Sequence, residues 1–209
     1  MKDPTESARD DLAFVRALMS ESGQVQDSLG QALLWAGACY GVQCLIQSWL
    51  STGVPVPVAV HLVVGILPTV IFLVAIIRIT VRDKGMSKHS VGTRAINAAF
   101  GGGGLAALST ALIFGFLAFR TQNMGTWLLH PIMICVVQGT IWYIAHAVRR
   151  RGWYGLVSAG WFLCSLVLAG LLGMGGPIPL FLLILGAAML GLLALPGYCL
   201  MRAGQRETA

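Results

Sequence analysis

Six stretches of about 20 mostly apolar residues follow one another along this chain, each long enough to cross a hydrocarbon layer of about 30 Å. They cover roughly residues 28–50, 58–77, 96–119, 126–151, 155–173 and 178–201. All eight acidic residues lie outside them. Thirteen of the fourteen Lys and Arg residues fall in the N-terminal segment or at the ends of the second, fourth and sixth stretches, and Arg120 is the exception. Basic residues concentrated at alternate ends are the positive-inside pattern, which predicts both termini on the cytoplasmic side. Only 11% of the 209 residues are charged, 56% are hydrophobic and the mean hydropathy is +0.78. A water-soluble domain carries about 25% charge, so lipid is the expected solvent for most of the surface. The predicted fold class is an all-α membrane protein. It is a six-transmembrane-helix bundle with a short cytoplasmic amphipathic N-terminal helix, in a bacterial inner (plasma) membrane.

The expected organisation is a helix and linker over residues 1–27, a membrane domain over 28–202 and a cytoplasmic tail over 203–209. Residues 1–27 are polar and have no short apolar core after Met1, so no cleavable leader is expected. Residues 7–20 read as the amphipathic helix. Ser7 and Asp10 give a capping-box-like start, and Leu12, Val15 and Met19 share a face that Phe14 and Leu18 widen. Gly23 and the polar residues after it read as a link. This segment has a net charge of −3, against +9 for the remainder. The basic residues sit at the ends of apolar stretches, so they point to lipid headgroups and topology and not to nucleic acid. Arg82, Lys84, Lys88, Arg94, Arg149, Arg150 and Arg151 form the expected cytoplasmic basic patch, on which the acidic helix could dock.

Acids are absent from the apolar stretches, which disfavours ion-coupled carriers, since these keep a carboxylate in the membrane. No zinc, nucleophile-elbow or phosphate-loop motif occurs, so no catalytic or metal residue is assigned. Cys39, Cys44, Cys135, Cys164 and Cys199 read as small buried hydrophobes. His61 and His130 stand at matching depth near the outer ends of the second and fourth stretches. Two such imidazoles on facing helices could ligate b-type haem, or they could simply be interfacial. His146, beside the arginine run, reads as interfacial. Gln43, Gln47, Gln138 and Tyr143 could line a polar path or bond one helix to another. Gly37 and Gly41 form a GxxxG face for close helix approach. Gly101, Gly102, Gly103 and Gly104 read as a gate, a helix break or a close-packing face. Pro68 reads as a kink. A faint repeat, Val60-His61 and Leu129-His130 each opening a stretch that ends in basic residues, suggests two parallel hairpins.

The run Asp10-Asp11-Leu12-Ala13-Phe14-Val15-Arg16 resembles the opening D-D/N-L-x-F-I/V-R helix of an uncharacterised bacterial multi-span inner-membrane family. Residues 193–197 with Met201-Arg202 are similar as well. The resemblance implies the multi-span layout and no activity.

Three readings stay open. The first is a non-enzymatic membrane component that self-assembles or binds a membrane partner through the N-terminal helix and basic loops. The second is a conduit or carrier for a neutral or weakly charged small solute. The third is a haem redox subunit using His61 and His130.

Overall fold

The computed structural model describes residues 4–53, 55–83 and 91–208, with side chains for 26–53, 55–83, 95–96 and 98–206. These residues form helices and turns, with no strand among them. The helices are α1 (Pro4–Leu50), α2 (Val58–Asp83), α3 (Val91–Thr121), α4 (Met124–Arg149), α5 (Gly152–Gly173), α6 (Ile178–Met189) and α7 (Leu195–Thr208). A π-helical turn, Leu190–Ala194, joins α6 to α7. Six helical segments are long and apolar enough to cross a membrane, the last of them running through the π turn from Ile178 to Arg206.

α1 departs from the expected layout. The short helix over residues 7–20 and the link after Gly23 belong to one unbroken helix of 47 residues. The intervening residues hold no proline, and a single interior glycine costs only about 1 kcal/mol, too little to end a helix by itself. Helix also runs through Pro68 in α2 and through the four glycines of α3, so the break considered for Gly101 to Gly104 does not occur.

The helices pack in the order α2, α1, the α6–α7 segment, α5, α4, α3, and α3 touches α1 only lightly. α2 has no buried residue, and its substantial packing is against α1. α4 and α5 form a tight hairpin, whereas α2 and α3 make no comparable contact. The packing therefore does not follow the parallel-hairpin repeat. Trp142, Trp161, Phe181, Leu168 and Cys135 are fully buried and fill the centre.

The closest seam joins α1 to the last helical segment. A Cβ added at Gly197 would lie 2.5 Å from the Leu34 backbone nitrogen and 2.8 Å from the Gly30 carbonyl oxygen. A Cβ added at Gly37 would collide with the backbone of Ala194. Without a hydrophobic drive between helices in lipid, such backbone-to-backbone contact is a main source of association. The Gly37–Gly41 face thus acts within the chain. Near the C-terminal end of α1 the Ser48 hydroxyl donates to the Pro179 carbonyl at 2.6 Å.

Pro196 explains the π turn. It has no N–H for the carbonyl four residues earlier, and its ring crowds that carbonyl. That carbonyl belongs to Leu192, and it accepts instead from the Trp161 indole N–H of α5 at 3.2 Å. Trp161→Phe leaves the carbonyl unpaired and also removes ring volume from a fully buried site. It should lower stability by about 1–3 kcal/mol, measured as thermal unfolding in detergent. The same change at the exposed Trp35 should have little effect.

Candidate functional site

The densest polar cluster lies where α1 enters the bundle. Asp27 accepts from Gln31 Nε2 at 2.8 Å and from Gln205 Nε2 of α7 at 3.2 Å. Its Oδ2 is 3.6 Å from Nη2 of Arg82 on α2. That same Nη2 donates to the Ser28 hydroxyl at 2.9 Å. From α4, Arg149 Nη1 donates to Gln26 Oε1 at 3.0 Å. Positions 26 and 28 are about 200° apart around a helix, at 100° per residue, so Arg149 and Arg82 hold α1 from opposite sides. Gln26 and Ser28 are buried, and the Asp27 side chain is only 17% exposed.

This clamp gives two members of the expected basic patch a definite role. Arg150 and Arg151 are exposed at the α4–α5 corner. Arg150 is left-handed there, with φ 53°. His146 shapes the same corner: its carbonyl accepts from the Arg150 N–H at 2.7 Å, and its Nδ1–H donates to the Arg151 carbonyl at 2.9 Å. Arg94 belongs to α3, and Lys84 and Lys88 lie outside the described residues.

The four polar-path candidates separate. Gln43 Nε2 donates to the Gly65 carbonyl at 3.2 Å, and Gln47 Nε2 reaches the His61 carbonyl at 3.5 Å. Both tie α1 to α2, and the Tyr40–Phe72 edge contact adds to that seam. Gln138 sits on α4, its Oε1 enclosed and without a hydrogen-bond partner among the described residues. Tyr143 is 61% exposed on the same helix. No common lining brings the four together.

The histidines are likewise apart. His130 Nδ1 lies 3.2 Å from the Thr110 hydroxyl of α3, and its ring stacks on Trp127. The Thr110 O–H is also 2.9 Å from the Ala106 carbonyl, to which it donates, so the imidazole N–H is the donor to Thr110. His61 is on α2, which packs on α1, whereas α4 packs on α3 and α5. The premise of the haem reading, two histidines on facing helices, is not met by this packing. The described residues contain no group of three or more His, Cys, Asp or Glu arranged for a metal ion.

Of the glycine run, Gly103 packs under Ile141 of α4, and Gly101, Gly102 and Gly104 have open space beside them. Cys135 and Cys164 are buried with their sulfurs 3.9 Å apart. Cys39 and Cys44 are half-buried. Cys199 departs from the expectation of burial and is exposed on α7.

No protein-family model matches this chain, and neither a curated protein nor a solved structure matches it. The N-terminal motif therefore carries no family assignment.

Sequence reasoning did not single out Asp27, Thr110 or Trp161. Asp27 had a signal, as the last acid before the first apolar stretch, with basic residues expected on the same side. Thr110 and Trp161 had none, because each acts on a helix whose proximity only the packing reveals.

Proposed function

We propose that this protein is a six-span membrane component without catalytic activity, which assembles with itself or with a membrane partner through the N-terminal half of α1. The unbroken α1 carries this reading. At 1.5 Å per residue its 47 residues reach about 70 Å, more than twice a hydrocarbon layer of about 30 Å. Residues 26–50 are the apolar part, so the acidic part extends beyond the membrane as a handle. Positive-inside charge supports a cytoplasmic location for that handle, for both termini and for the basic patch, in a plasma membrane.

The filled centre of the bundle and the use of Gln43 and Gln47 as ties between helices argue against a central conduit. The separate placement of His61 and His130 argues against haem. The handle reading replaces docking of the acidic helix on the basic loops of its own chain. A helix that continues unbroken from its span favours the handle over that docking.

Removing residues 1–22 tests the proposal. The full chain in native membranes should run as a complex larger than one copy, and the truncated chain should fall to a smaller native mass while remaining inserted and folded. An unchanged native mass, or a full chain that is a lone monomer in the membrane, overturns it.

A further inference from the structure

We infer that the handle pairs with the handle of a second copy of this chain, the two helices parallel and in register. This inference rests on the assembly reading above and names its partner. Three features carry it: where the handle begins, how its residues are spaced, and how its charges are placed.

The handle begins at a fixed point. Gln26, Asp27 and Ser28 are gripped by Arg149, Arg82 and Gln205 from three other helices. The helix is held at that point, and residues 4–25 continue it without a break. Two copies inserted with the same topology present these helices pointing the same way, so a side-by-side pair related by a two-fold axis is parallel.

The spacing is that of a heptad. With Leu12 and Met19 at the first position of successive heptads, Ala8, Val15 and Ser22 fall at the fourth. Ala8, Leu12, Val15 and Met19 thus make one seam at intervals of four, three and four, the pattern that closes between two helices. An apolar seam on a helix that extends beyond the bilayer gains from a partner that covers it. Toward the bundle the seam turns polar at Ser22 and Gln26, and Gln26 is already committed to Arg149. The pairing therefore ends about one turn above the clamp.

The charges choose the partner and its direction. Asp11 stands just before the seam position Leu12, and Arg16 just after the seam position Val15, five residues apart. These are the two flanking positions that come alongside each other across a parallel, in-register pair. They bear opposite charges, and the two-fold axis makes the attraction twice. An antiparallel pair or a slipped register loses both. Two heptads are too few to hold together as free peptides in water, but anchoring in one membrane raises the effective concentration enough to make the pair form. The pair therefore depends on the intact chain.

Disulfide trapping of the full chain in native membranes tests the inference, with copper-phenanthroline as oxidant. Leu12→Cys and Met19→Cys, on the seam, should give a covalent dimer at least about tenfold faster than Asp10→Cys and Ala17→Cys on the opposite face. The parent chain, with its own five cysteines, measures the background. In the Met19→Cys chain, Asp11→Arg alone and Arg16→Asp alone should each slow trapping, and the two together should restore it. Loss of folding would not give that rescue. Equal trapping on both faces, or no rescue by the double change, overturns parallel pairing. Trapping of the handle to a different protein alone also overturns it, yet leaves the assembly reading standing. An unchanged native mass after removal of residues 1–22 overturns both.

Discussion

Gly197→Leu should abolish the packing between α1 and the last helical segment. The new side chain starts 2.5 Å from the Leu34 nitrogen and 2.8 Å from the Gly30 carbonyl oxygen. Those atoms are backbone, so they cannot swing aside as a side-chain tip would. Overpacking a core costs about 1–3 kcal/mol when neighbours can adjust, and here the helices themselves must part. The expected loss is at or above the top of that range, read as early thermal unfolding in detergent and a poor yield of monodisperse protein. Gly104→Leu is the control. A Cβ there meets nothing within 4 Å, and leucine favours helix over glycine by close to 1 kcal/mol, so the stability should hold or rise. Equal behaviour of the two variants would mean that the α1–α7 seam is not what holds the bundle together.

Reporter fusions should give an all-or-none pattern along the chain. Alkaline phosphatase, active only when exported, should be active when fused at Gly53, Gln122 or Gly175. It should be inactive at Arg150 and after Arg206. Neutralising Arg149, Arg150 and Arg151 together to glutamine should weaken the inner anchor of α4 and let the Arg150 fusion gain activity, since Lys and Arg near span ends set orientation. The same change removes the Arg149 contact to Gln26, so the handle should lose half its clamp. Activity at Arg150 in the parent chain would reverse the proposed orientation and put the acidic handle on the wrong side.

The number of apolar helices was legible in the sequence because length and hydropathy decide it one stretch at a time. Gly37 and Gly41 were legible as a contact face for the same local reason. Which helix fills that face was not legible. In lipid every helix is apolar all round, so no difference in hydrophobicity marks the inward side, and only the fit of Gly37 to Ala194 and of Gly30 to Gly197 selects the partner. Gln43 and Gln47 illustrate the same gap: two amides one turn apart suit a polar lining or a bond to a neighbour equally well, and only the packing of α2 against α1 decides for the bond. Pro196 has no N–H to give the helix, but the indole that pairs the freed carbonyl comes from a residue 35 positions earlier in the chain. The continuity of α1 was missed because Gly23 and the polar residues after it look like a link, although nothing there is strong enough to end a helix.

The α1–α7 seam joins two helices separated by more than a hundred residues of chain. For a chain inserted in order of synthesis, α1 waits through the making of more than a hundred residues with its glycine-lined groove unfilled. During that interval insertion factors and membrane proteases have access to the groove. A chain stalled before Ile178 lacks the segment that fills the groove. Truncated copies should be degraded in proportion to how much of that segment they lack.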